Sequence, residues 1–202
     1  EVDELIFLDV TATVEGKRPP FKIISEIATE CFMPFTYGGG VSTLDDAKEI
    51  FKLGVEKIAV NTHAVEHPEF ITQIAQTHGS QSVVAAIDVK RTWAGHRVFV
   101  RSGTKNAGLD PAEWAKEVER RGAGEILLTS VDRDGTMEGY DLELISMVAK
   151  AVRVPVIACG GAGRVSHFRE AVDAGASAVA AGSMVVYHGA AKGVLINFPS
   201  PT

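Results

Sequence analysis

Val83-Val84-Ala85-Ala86-Ile87-Asp88-Val89-Lys90 is a run of small and β-branched apolar residues that closes on charge. Such a run reads as a strand covered on both faces, the habit of parallel sheets flanked by helices. In a (β/α) barrel the chemistry sits at the C-terminal ends of the strands, so a carboxylate late in such a strand is a candidate acid/base group. An aspartate here can equally cap the loop that follows.

The same pattern extends to either side of this stretch. Strands are predicted over residues 5–10, 34–37, 57–61, 125–130, 155–159 and 178–181. Helical patterns cover residues 21–31, 42–53, 68–78, 111–121, 141–151 and 166–174. Ser42 is the expected N-cap of the second helix, with Asp45 and Asp46 in its first turn, where the helix dipole favours anions. A polar loop through Pro20 follows the first strand, and Trp93-Ala94-Gly95-His96 reads as the link of a hairpin. Together these make seven strand-then-helix units of one α/β domain over residues 1–202, one unit short of an eightfold barrel.

A repeat runs through the chain. Setting residue n against n + 121 aligns 4–62 with 125–183 without a gap. Glu4 meets Glu125, Pro34 meets Pro155, Gly39 and Gly40 meet Gly160 and Gly161, and Gly54 meets Gly175. An offset shared across three successive strand ends implies two related halves of four units each. Applied to Asp88, the offset points upstream of Glu1, so the chain is expected to be a piece of a longer protein that lacks its first βα unit.

Composition narrows the partners. With 46% hydrophobic and 23% charged residues and a net charge of −6, the chain is an ordinary globular one with no basic run for nucleic acid or an anionic membrane. Cys31 and Cys159 lie far apart without metal-ligand spacing, and no long apolar run is present, so a reducing cytoplasm is expected, with no metal and no cofactor. The six histidines show no ligand spacing either and are expected mostly at the surface or at helix ends.

The glycine runs after Tyr37 and after Cys159 stand at equivalent places in the two halves. Glycine lets backbone N–H groups approach an anion closely, and Asn61-Thr62 and Gly182-Ser183 add donors from the neighbouring strand ends. Each half is thus expected to form a phosphate cup, and two cups suit a substrate with a phosphate at each end. Between them would lie Asp9, Asp88, Asp132 and Asp134, carboxylates whose pKa values can split to give and take protons. One of the pair in Asp132-Arg133-Asp134-Gly135-Thr136 is expected to be only a loop former, and Cys159 a small core residue. Glu4, Lys57 and Glu125 directly precede apolar runs; they are either solvated strand entrances or an inward charged ring.

The segments DELIFLDVTA, GGG with its capped helix, ITQIAQTHGSQSVVAAIDVKR, RGAGEILLTSVDRDGTMEGYD and CGGAG resemble the cyclase subunit of imidazole glycerol phosphate synthase, over nearly the whole chain to about Val185. The resemblance implies a TIM (β/α)8 barrel made of two half-barrel repeats. It also implies a partner glutaminase that supplies ammonia, which is joined to a bis-phosphorylated ribulosyl aminoimidazole-carboxamide nucleotide in histidine biosynthesis. Asp88 matches one of the family's two catalytic aspartates, and the other belongs to the strand expected upstream. Gly40, Asn61 and Thr62 match one phosphate site; Gly161, Gly182 and Ser183 match the other, with Asp134 and Gly135 lining the substrate region. Glu4, Lys57 and Glu125 match three members of a charged gate for ammonia. Two departures stand out: Cys159 replaces the usual Ser, and the tail from Val194 to Ser200 replaces the usual final helix. That tail, together with Glu30-Cys31-Phe32-Met33-Pro34 and Thr36-Tyr37-Gly38-Gly39-Gly40, resembles a paralogous branch linked to acetamidino modification of surface-polysaccharide sugars, where the barrel delivers ammonia to a different acceptor.

Overall fold

The computed structural model describes residues 2–188, 193, 194 and 196. Of the tail singled out above, Leu195 and 197–200 lie outside the described residues. In chain order the elements are β1 (Leu5–Leu8), α1 (Ala12–Glu15), α2 (Phe21–Glu30), β2 (Phe35–Gly38), α3 (Leu44–Lys52), β3 (Lys57–Val60), α4 (Thr62–Glu66) and α5 (Glu69–His78). There follow β4 (Val83–Thr92), β5 (Gly95–Val100), β6 (Lys105–Asn106), α6 (Pro111–Arg121), β7 (Glu125–Ser130), α7 (Leu142–Ala149), β8 (Val156–Cys159), α8 (Val165–Asp173), β9 (Ala178–Val179), α9 (Ser183–Val186), β10 (Tyr187–His188) and β11 (Gly193–Val194).

Strands β1-β2-β3-β4-β7-β8-β9 pair in that order, all parallel, with helices between them. The alternation along β4 shows how the sheet is covered. Val83, Ala85, Ile87 and Val89 pack outward in the main core with the helices, whereas Val84 and Ala86 belong to a second cluster on the other face. That second cluster joins Ile6 of β1, Ala59 of β3, Leu127 of β7, Ile157 and Cys159 of β8, and Ala180 just past β9. Side chains from strands so far apart in the sheet meet only when it curls, as in a (β/α) barrel. Each fully buried aliphatic side chain contributes about 1.5–3 kcal/mol.

The offset of 121 recurs in the backbone. Gly38, which closes β2, has its equivalent in Cys159, which closes β8, and Leu44–Lys52 of α3 corresponds to Val165–Asp173 of α8. Leu5 N–H donates to Pro34 O and Ile126 N–H to Pro155 O, both at 2.9 Å; Val65 N–H donates to Asn61 O and Val186 N–H to Gly182 O, both at 3.1 Å. Gly39 (φ +125) and Gly160 (φ +88) share one reason for being glycine: a Cβ on either would lie 2.5 Å from a carbonyl, of Asp9 and of Ser130 respectively. Asp9 and Ser130 are themselves equivalent under the offset. Gly160→Ala is therefore expected to destabilise the fold by about 2 kcal/mol or more, from the left-handed backbone and the clash together, read as a lower denaturant midpoint.

Local chemistry sets the boundaries. Asp110 caps α6 by accepting from Ala112 N–H (2.9 Å) and Glu113 N–H (3.1 Å), Pro111 opens the helix, and Gly122 (φ +102) closes it. Several expectations are corrected. The cap of α3 is Thr43, which accepts from Asp46 N–H at 3.1 Å, and not Ser42. The loop before Pro20 contains α1, nucleated by Asp9, which accepts from Thr11 N–H (2.9 Å), Thr11 Oγ1 (2.8 Å) and Ala12 N–H (3.0 Å). Two of the six histidines are buried, outside an expectation that covered only most of them: His96 pairs with Asp141 at 3.1 Å, and His167 Nδ1 accepts from Gly163 N–H at 3.2 Å. The hairpin is present, but β4 runs through Lys90 to Thr92 into an antiparallel pair with β5, so Asp88 lies within the strand and not at its end.

Candidate active site

Asp88 nonetheless stands at the rim, because the parallel pairing of β4 with β7 stops one residue later, at Val89 opposite Ser130. Its side chain is half-buried and accepts from Asn61 Nδ2 at 2.9 Å. Burial pushes its carboxyl up from an ordinary 3.8 to about 6, reinforced by the nearby Asp134 carboxylate and opposed by the Asn61 amide, the Thr129 hydroxyl and Lys90. Cys159 lies beside the same carboxylates, and burial raises its thiol to about 11, so it carries no thiolate at neutral pH and serves as a small wall residue.

A cavity of about 320 Å³ opens in front of Asp88. It brings together Gly39 and Gly40 after β2, Asn61 and Thr62 after β3, and Asp88 on β4. Asp9 also lines it, but the bonds it accepts from Thr11 and Ala12 at the start of α1 hold its carboxyl low even against burial. Asn61 keeps its Oδ1 buried without a partner, an acceptor available to a donor group of a bound molecule.

The second group of residues gathers on the other half. A Cβ on Gly160 would lie 3.4 Å from Asp134 N, one on Gly161 3.2 Å from Arg133 Cβ, and one on Gly135 3.8 Å from Ser183 Oγ. The loop holding Asp134 and Gly135, the glycine run after β8 and the start of α9 thus converge. Asn61 (φ −124, ψ −86) and Gly182 (φ −109, ψ −78) share a backbone conformation, which places Thr62 and Ser183 equivalently. Asp132 is the loop former of its pair, accepting from Arg91 N–H at 2.7 Å, while Asp134 faces Asp88.

At the opposite end of the strands, Lys57 Nζ lies 2.8 Å from Glu4 Oε2 and 2.8 Å from Glu125 Oε1, and Thr36 Oγ1 donates to Glu4 at 2.5 Å. These three charged residues turn inward. Each carboxylate stands two strands away from Lys57, a spacing of about 9.6 Å in a flat sheet, so curvature is what brings the groups into contact. Burial alone would lower the Lys57 pKa, but Glu125 and Glu4 outweigh it and hold it above the ordinary value.

Among the described residues no group of three or more His, Cys, Asp or Glu is placed to hold a metal ion, and no helix is long and apolar enough to cross a membrane. Residues 1–192 match the model of a family described as histidine biosynthesis protein. The chain belongs to that family. Within it, the chain is 48% identical over 201 residues to a putative imidazole glycerol phosphate synthase subunit hisF2 of Pseudomonas aeruginosa, covering 98% of this chain and 80% of that protein. It is 51% identical over 187 residues to the imidazole glycerol phosphate synthase subunit HisF of Thermotoga sp., covering 93% and 73%, and 45% identical over 205 residues to a putative HisF of Leptospira borgpetersenii, covering 100% and 81%. Membership of the histidine biosynthesis family accords with the curled parallel sheet and its duplicated halves.

Sequence reasoning missed three residues of this site. Thr129 bonds Asp88 from the next strand, and Arg101 and Ser102 line the cavity from the turn between β5 and β6. Thr129 was within reach, since β7 residues alternate and it shares the inward face with Leu127. Arg101 carried no periodic signal, because only the hairpin's path brings it over the mouth.

Proposed function

We propose that this chain is a cyclase-type subunit of an imidazole glycerol phosphate synthase. In this reading a bis-phosphorylated ribulosyl aminoimidazole-carboxamide nucleotide lies across the C-terminal face. One phosphate sits against Gly40, Asn61 and Thr62, and the other against Gly161, Gly182 and Ser183, beside Asp134 and Gly135. The carrying observation is the Asp88 carboxyl between the two groups, raised to about 6, which lets one residue both donate and accept protons near neutral pH. Ammonia from a partner glutaminase enters at the Glu4–Lys57–Glu125 end and adds to the ribulosyl carbonyl, whose oxygen leaves as water; the new nitrogen then bonds to the amidine carbon as that carbon's bond to the ribotide nitrogen breaks, releasing imidazole glycerol phosphate and the carboxamide ribotide. Asp88 protonates the departing oxygen and takes a proton from nitrogen. The barrel acts as one domain over residues 1–202.

Feeding the nucleotide with ammonium salt to the protein tests this. Formation of the imidazole product without glutamine is expected, and stimulation once the glutaminase is added. A second reading is favoured by Cys159 beside Asp88 and by the hisF2-named relative: an ammonia-conducting subunit for acetamidino modification of sugars, without cyclisation. It predicts glutamine hydrolysis stimulated by the chain while the nucleotide is left unconsumed.

A further inference from the structure

We propose that Arg101 is a phosphate-binding residue of the first cup, supplied by the turn between β5 and β6. The inference rests on the reading that Gly40, Asn61 and Thr62 hold a phosphate. Arg101 and Ser102 both take φ +54, and Gly103 follows at φ +72. Two successive non-glycine residues in the left-handed region persist only where surroundings impose them. Here the ties run to both walls of the cavity: Arg101 N–H donates to Thr62 Oγ1 at 2.9 Å, and Ser102 Oγ donates to Val10 O at 2.5 Å.

Three cationic side chains line this cavity, and they differ in how firmly each is engaged. Arg18 holds the buried Asp46 through Nε at 3.0 Å and a second nitrogen at 2.6 Å. Lys17 lies against Glu15 at 2.5 Å on the exposed loop. Arg101 stands 3.6 Å from Glu66, with both side chains half-exposed. A pair of that kind contributes about 0–1 kcal/mol, and a phosphate dianion is a stronger partner for a guanidinium. Glu66 follows Thr62 by four residues in α4, so the Arg101 guanidinium already hangs over the helix face that carries Thr62. The Thr62 oxygen, by accepting the Arg101 N–H, keeps its own hydrogen for donation to an anion.

Inorganic phosphate titrated into the full chain, followed by 31P NMR, is the test. The cup reading predicts that Gly40→Ala, whose Cβ would lie 2.6 Å from Lys17 O, weakens one class of phosphate sites. The Arg101 assignment predicts that Arg101→Gln weakens that same class about tenfold, that Arg101→Lys retains part of the affinity as a point charge, and that Glu66→Gln tightens it two- to threefold, roughly. A merely structural Arg101 would not produce the gain with Glu66→Gln. Loss with Gly40→Ala but no change with Arg101→Gln and Glu66→Gln overturns the assignment and leaves the cup standing. No effect of Gly40→Ala, or no phosphate bound by the unaltered chain, overturns the cup and the assignment with it.

Discussion

Asp88→Asn is expected to slow ammonia-dependent turnover by about a hundred- to ten-thousand-fold, the range that general acid–base groups contribute, while phosphate binding persists. Asparagine keeps the shape and can still accept from Asn61 Nδ2, so the loss would report proton transfer and not collapse of the site. The same substitution carries a stability signature with the opposite sign. A carboxyl whose pKa rises from 3.8 to about 6 on folding binds its proton more tightly in the folded chain. The folded state therefore bears no penalty below pH 3.8, a growing one between 3.8 and about 6, and its full extent above, roughly 3 kcal/mol. Asp88→Asn should raise the melting temperature at pH 8 and leave it unchanged below pH 3.8. Equal melting of the two proteins at pH 8 would remove the electrostatic basis for Asp88 as the proton shuttle, and retained turnover would remove the role itself.

Lys57→Met should be the most destabilising of the substitutions considered. It strands two inward carboxylates, Glu4 and Glu125, each with side-chain exposure under a quarter. Breaking one partner of a poorly solvated ion cluster costs about 3–5 kcal/mol, the lower end applying to partial burial of this kind. The triple variant Glu4→Gln, Lys57→Met, Glu125→Gln should recover most of that loss, because no unpaired charge remains. Since the Lys57 pKa is raised in the fold, the unaltered chain holds this stabilisation below pH 10.5 and loses it as the pH climbs above that. Denaturant midpoints of the single and triple variants at pH 7 check the prediction; equal stability of the single variant and the unaltered chain would mean the three charges are independently solvated. If the cluster also admits ammonia, the triple variant would retain its fold while glutamine-dependent and ammonia-dependent rates diverge.

Much of this architecture was legible because the chain repeats itself. One offset predicted that Gly39 and Gly160 occupy the same backbone situation, and both would clash with the preceding strand's carbonyl if they bore a Cβ. Helix α6 was legible to the residue, since Asp110, Pro111 and Gly122 each act within their own turn. What escaped depends on partners distant in sequence. Ser42 and Thr43 are alike as caps until the path of the backbone chooses Thr43. The buried place of His96 carried no local signal, because its partner Asp141 lies 45 residues away. Asp9 looked equivalent to Asp88, but its lone pairs are spent on α1, whereas those of Asp88 meet a single asparagine and a hydroxyl.

The hairpin of β5 and β6 has a meaning beyond the residues it contributes. Duplication builds a cradle of near-twofold symmetry, and such a cradle by itself would receive a two-ended ligand equally well in either direction. The hairpin lends Arg101 and Ser102 to the cavity beside Asn61, and Asn61 has glycine, Gly182, as its counterpart in the other half. On the proposed function, those two asymmetries would let the cradle distinguish head from tail, so that a molecule laid across it would present the same bond to Asp88 on every encounter.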